Sequence, residues 1–179
     1  MPTMKRCLPN WLLVTLMVAL LSVGWTTPAW AATAEAIITD TEDSHVVGVA
    51  ELEDTEPGLA IEVSFLDGPE GTHGFHIHEN DSCADGGKAA GGHYNPAGVK
   101  HGYLLEDGFE NAHAGDLGNV EISSDGEGVY SALIPGLSLT NGQYSVGDLA
   151  FILHAQPDDF GQPTGNAGDR AACGVIELD

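Results

Sequence analysis

Ile61, Val63 and Phe65 alternate with Glu62 and Ser64, and this two-residue period recurs in short runs along the chain. A period of two describes strands with one buried and one wet face, and it excludes the 3.6-residue period of a surface helix. Such runs cover His45 to Leu52, Leu59 to Phe65, Gly74 to His78, Val120 to Ser123, Val129 to Ile134, Leu149 to His154 and Cys173 to Leu178. Glycine and Asx residues separate them, as in Ser124-Asp125-Gly126-Glu127-Gly128 and Thr140-Asn141-Gly142, where positive φ turns the chain back on itself. The spacing predicts antiparallel sheets wrapped around one core, a sandwich or flattened barrel.

Two segments break the rhythm, Glu79 to Asp116 and Ala155 to Arg170. Both are glycine-rich and far longer than a hairpin needs, and ordered loops of that length generally bind something. The chain of 179 residues, 42% of them hydrophobic, suits one domain. No repeat of solenoid or propeller period is present.

The first residues read as an address. Lys5 and Arg6 precede an apolar run from Trp11 to Val23, and Pro28-Ala29-Trp30-Ala31-Ala32 offers the small residues a signal peptidase cuts between. The run is short for a bilayer crossing, which needs about 20 residues. Residues 1–31 are therefore expected to be a cleaved signal peptide and 32–179 the mature domain, exported to a periplasmic or extracellular space.

Cleavage would leave three basic residues against 27 acidic ones, a balance of −24. Such a field repels nucleic acid and anionic lipid, so neither is an expected partner of the mature chain. It would also remove Cys7, leaving Cys83 and Cys173 as an even pair in a compartment that tolerates a bridge.

All eight histidines lie in the mature portion, six of them from His73 to His113. In Gly74-Phe75-His76-Ile77-His78 the two imidazoles sit two residues apart, so both project from one face while Phe75 and Ile77 point to the core. Taken alone, such a pair describes a polar surface as well as a metal site. It does not stand alone: Gly91-Gly92-His93-Tyr94-Asn95-Pro96, Lys100-His101-Gly102, His113-Ala114-Gly115-Asp116 and the strand-ending His154 follow. Imidazole suits copper and zinc, and an added carboxylate leans a site toward zinc, so two unlike sites are expected.

The blocks Gly74 to Glu79, His93 to Pro96, His113-Ala114-Gly115-Asp116-Leu117-Gly118-Asn119 and Gly165-Asn166-Ala167-Gly168-Asp169-Arg170-Ala171-Ala172-Cys173-Gly174-Val175-Ile176 resemble, in order, the signature blocks of the copper/zinc superoxide dismutases. The resemblance covers nearly all of the mature chain. It implies an all-β, eight-stranded Greek-key sandwich or flattened barrel with two long functional loops.

It further implies copper on His76, His78, His93 and His154, zinc on His93, His101, His113 and Asp116, and a Cys83–Cys173 disulfide. His93 would be shared between the ions and take part in catalysis. Asp158 resembles the carboxylate that joins a copper ligand to a zinc ligand, Arg170 the arginine that attracts superoxide, and Thr164 a residue of the channel mouth. His45 and His73 match no ligand position and are expected to be surface or packing residues.

The implied substrate is the superoxide anion, with a second copy of the chain and a copper donor as candidate partners. The rival is a copper/zinc-binding or copper-delivery protein without turnover on the same fold. The chain departs from many eukaryotic relatives in a shorter loop after His154 without lysines, and in Asp169 beside Arg170, so attraction of an anion falls largely to Arg170 and the metals.

Overall fold

The computed structural model describes residues 31–179; the expected signal segment, up to residue 30 and including Cys7, lies outside the described residues. The strands are β1 (Thr33–Asp40), β2 (Val46–Asp54), β3 (Gly58–Phe65), β4 (Gly71–His78), β5 (Asp116–Ile122), β6 (Gly128–Pro135), β7 (Ala150–His154), β8 (Arg170–Val175) and β9 (Glu177–Leu178). They pair in the order β2-β3-β6-β5-β4-β7-β8-β1-β9, and a further β1–β2 pairing closes the ring. The result is an eight-stranded antiparallel barrel with β9 added beside β1. Strands β3 and β6, and likewise β4 and β7, are neighbours across long connections, the Greek-key pattern.

Alternation decides which side chains fill the barrel. Ile61, Val63, Phe75, Ile77, Phe151 and Leu153 are fully buried. Phe75 is the hub: its ring stacks on Phe151 at 5.1 Å and meets the edges of Phe65 at 5.8 Å and Tyr130 at 5.4 Å. Aromatic pairs in these geometries add about 0.5–1.5 kcal/mol each beyond the area they bury.

The expected seven runs correspond to strands, with three differences. Strand β1 was not expected: Thr33-Ala34-Glu35-Ala36-Ile37-Ile38 alternates, but its inward residues are mostly alanine, a weak apolar signal. Strand β5 begins at Asp116, four residues before the expected run, because pairing with β4 extends it to the His76–Asp116 register pair. The last run divides into β8 and β9 at Ile176, whose backbone N–H donates to Leu149 O.

The two long segments are ordered loops with only a 3-10 turn at Lys88–Ala90 and a one-turn helix at Leu104–Asp107. Cys83 in the first loop is bonded to Cys173 on β8 with Cα atoms 5.7 Å apart, closing a span of 90 residues. In the chain-entropy account a closed loop of that size stabilises by about 4–5 kcal/mol.

On the outer face away from the loops, carboxylates align across four strands. Glu35 stands opposite both Glu177 and Glu51, and Glu51 opposite Glu62, all of them exposed. Like charges directly across a sheet destabilise it by roughly 0.2–1 kcal/mol per pair. Added salt is therefore expected to raise the melting temperature, and Glu51→Gln, which removes the charge flanked on both sides, to raise it by about 2–4 °C at low salt. Thermal denaturation of both proteins across a sodium chloride series measures the effect; the gain of the variant shrinks as salt rises.

Candidate metal centre

Strand β4 delivers the first two imidazoles. With Phe75 and Ile77 turned into the barrel, His76 and His78 emerge on its outer face, yet both are buried because the two loops fold over them. Strand β7 ends at His154, also on that face, and the first loop returns His93 to form an isolated bridge with His78. One donor atom from each of His76, His78, His93 and His154 falls within 4.8 Å of the others.

A second group overlaps the first. His93, His101, His113 and Asp116 bring four donors within the same mutual distance, and all four are buried. His93 Nδ1 lies 2.8 Å from Asp116 Oδ1, His101 Nδ1 2.9 Å from Asp116 Oδ2 and His113 Nδ1 3.1 Å from Asp116 Oδ1. The His113-Ala114-Gly115-Asp116 turn makes this possible, with the backbone N–H of His113 donating to Asp116 Oδ2 at 2.9 Å.

The donors fit metal ions rather than one another. His78 Nδ1 faces Gly91 O at 3.0 Å and His154 Nδ1 faces Gly168 O at 3.2 Å, so each ring donates there. Their Nε2 atoms then confront each other at 3.4 Å, lone pair to lone pair, an arrangement a cation resolves. His76 and His101 each direct Nε2 at Asp158, at 2.8 and 3.0 Å; the buried Nδ1 of His76 has no hydrogen-bond partner, while that of His101 faces Asp116 Oδ2. A buried polar atom without a partner is costly, and a coordinated ion supplies the missing one. Four imidazoles without a carboxylate suit copper, and three with one carboxylate suit zinc.

Burial sets the charge of these groups. It lowers His78 to about 2 and His154 to about 3, and it lowers His76 to about 4 against the opposing pull of Asp158. These rings are neutral near pH 7, the form that binds a metal. Burial also opposes charge on His101, but Asp116 and Asp158 on either side outweigh it and raise that ring to about 9. The same contacts overcome burial in the carboxylates: hydrogen bonds from His101, His113 and His93 hold Asp116 well below the usual range, and those from His101 and His76 do so for Asp158.

Arg170, the first residue of β8, donates through Nη1 to Gly87 O and through Nη2 to Gly91 O at 2.5 Å. Gly91 O also faces His78 Nδ1, so the guanidinium and a ring of the first group share one carbonyl. Residue 91 has to be glycine: its φ is 79°, and a Cβ would come within 2.7 Å of Glu79 and Asn80 side-chain atoms.

Thr164 is exposed on the second loop and belongs to neither group. His73 is buried as a packing residue, its ring set between His154 O at 2.8 Å and Pro69 O at 3.0 Å. His45 is a surface residue paired with Asp43. Two residues given no role in the sequence reading also shape the centre. Asn119 donates to Asp158 O at 2.9 Å and accepts from Asp158 N at 2.7 Å, and Gln162 binds the backbone of His101 in the same two-way fashion. A side-chain amide carries no local signal of such long-range pairing.

Comparison with known proteins agrees with this geometry. The family described as copper/zinc superoxide dismutase (SODC) matches residues 46–176. "Superoxide dismutase [Cu-Zn] 2" of Aquifex aeolicus (strain VF5) is 40% identical over 150 residues, spanning 80% of this chain and 85% of that protein. The "Extracellular superoxide dismutase [Cu-Zn]" of Caenorhabditis elegans is 36% identical over 140 residues, spanning 74% of this chain and 62% of that protein.

Among solved structures, a double mutant of a SOD-like protein from Bacillus subtilis superposes with a TM-score of 0.71 at 35% identity, covering 80% of this chain and 96% of that one. The clock protein EA4 gives 0.70 at 30% identity, covering 82% and 94%. Barrel, converging imidazoles and sequence thus lead to one assignment: the chain belongs to the copper/zinc superoxide dismutase family.

Proposed function

We propose that this chain is an exported superoxide dismutase, holding copper at His76, His78, His93 and His154 and zinc at His93, His101, His113 and Asp116. The observation that carries this reading is the shared ring: His93 belongs to both donor groups, and Asp158 joins a member of each from behind. Bound copper supplies alternate one-electron reduction and oxidation, through which one superoxide leaves as oxygen and a second, with two protons, as hydrogen peroxide, while zinc has no redox chemistry.

The remaining work falls to the chain. Arg170 is held by two carbonyls with its planar fork fixed in place, a geometry that attracts and orients a small anion. His93 is anchored through Nδ1 beside Asp116, which leaves Nε2 to hold a proton for the departing peroxide. Asp158 accepts from Nε2 of His76 and of His101 and so turns both Nδ1 atoms toward the ions they would ligate. Export is supported by the Cys83–Cys173 disulfide and by a relative named as extracellular.

Metal analysis of the purified holoprotein, together with stopped-flow decay of superoxide, tests the reading. Copper and zinc in equal amounts with rapid decay are expected; both metals without decay would make it a binding protein. Arg170→Glu is expected to slow decay about tenfold at low salt. Because the acidic surface opposes an anionic substrate at long range, rising ionic strength is expected to slow the unmodified enzyme little or to speed it.

The metal-free protein should show a defined pH profile. Stability from the raised His101 is fully present below about 6.5 and is lost as pH rises through about 9. Stability from the depressed Asp116 and Asp158 is present above about 3.9 and is lost as pH falls further. A melting-temperature plateau between these limits is expected. Zinc must displace the His101 proton, so apparent zinc affinity should climb about tenfold per pH unit from 7 toward 9, measured by competition with a chromophoric chelator.

A further inference from the structure

We propose that Gln162 is a positioning residue that locks the zinc ligand His101 in place and sets how fast zinc leaves the protein. The inference rests on zinc being held by His93, His101, His113 and Asp116.

His101 lies in an irregular stretch of the first loop, and neither its backbone N–H nor its C=O bonds to another backbone group among the described residues. Both are satisfied by one side chain. The His101 N–H donates to Gln162 Oε1 at 3.2 Å, and Gln162 Nε2 donates to His101 O at 2.8 Å, across 61 residues of sequence. A two-way amide pair of this kind fixes a peptide unit in position and in rotation.

That rotation matters because His101 is the ring that bridges both buried carboxylates. Nδ1 lies 2.9 Å from Asp116 and Nε2 3.0 Å from Asp158. The second loop closes over the ring beyond Gln162: a Cβ at Gly165 would stand 2.7 Å from His101 Nε2 and 1.9 Å from Asp158 Oδ1. Asn119 applies the same two-way pairing to the backbone of Asp158, so two amides hold the two ends of one ring-to-carboxylate contact.

The residue itself is exposed. Its substitution therefore removes the pairing without emptying the core, and zinc could then escape through local opening of the loops rather than global unfolding.

Zinc release from the copper- and zinc-loaded protein into a chromophoric chelator tests this, with Gln162→Leu, Gln162→Glu and Ser138→Ala as variants. Ser138→Ala is the control; it removes a 3.0 Å hydrogen bond to Asp54, which contacts no member of the centre. Gln162→Leu is expected to release zinc about tenfold faster, the scale of one to two lost hydrogen bonds. Gln162→Glu, which keeps the acceptor for His101 N–H, should fall between it and the unmodified protein, while Ser138→Ala matches the latter.

Cobalt in the zinc site should show a changed visible d–d spectrum in Gln162→Leu alone. Equal release rates and unchanged cobalt spectra would overturn the role of Gln162, whereas failure of the unmodified protein to bind zinc or cobalt would overturn the zinc assignment beneath it. If neither Gln162 variant folds, hydrogen exchange in the unmodified protein decides: slow exchange of the His101 amide supports the lock, and exchange at the rate of an open loop overturns it.

Discussion

Everything in this molecule leans on burying uncharged imidazoles whose lone pairs converge. Nitrogen faces nitrogen at 3.4 Å between His78 and His154, and the Nδ1 atom of His76 is buried without a partner. Protein groups alone do not satisfy such a cluster, because His76, His78 and His154 have each already spent an N–H on a carbonyl or on Asp158. Cations between the rings convert that cost into bonds. A cation bound among these rings is therefore expected to stabilise the fold.

The barrel supplies rigidity on one side of β4 and the loops supply enclosure on the other. Phe75 and Ile77 anchor the strand in an aromatic core, so the alternate residues His76 and His78 have little freedom. The disulfide and the amide pairs at Asn119 and Gln162 then draw irregular chain over those rings. Loops of this length would ordinarily be the least stable part of a domain, and here each is tied to a strand or to the other loop. Arg170 belongs to the same scheme, since the carbonyls that hold it are those of the loop carrying His93.

Strong negative charge runs through the design as a cost. Glu177, Glu35, Glu51 and Glu62 form a row of facing carboxylates on the sheet remote from the loops. Three basic residues remain among those described, Lys88, Lys100 and Arg170, and Arg170 shares the Gly91 carbonyl with His78. Such a balance favours solubility and opposes anions at long range, which leaves short-range contact with a fixed guanidinium as the means by which an anion would be held.

Much of this was legible in the residues. The period of two in Ile61-Glu62-Val63-Ser64-Phe65 specifies strands by a local rule, because adjacent side chains on an extended backbone must face opposite ways. The same rule places His76 and His78 together on one face. Strand β1 is hard to read from sequence because alanines fill its inward positions, and the pairings of Asn119 and Gln162 because a side-chain amide has no local preference for a backbone 39 or 61 residues away. Only folding decided that the outer face of β4 is buried, that His93 stands within reach of two donor groups, and that Asp158 touches one ring of each. Those facts depend on loop closure over long sequence separations, where energy is gained only once distant groups have met.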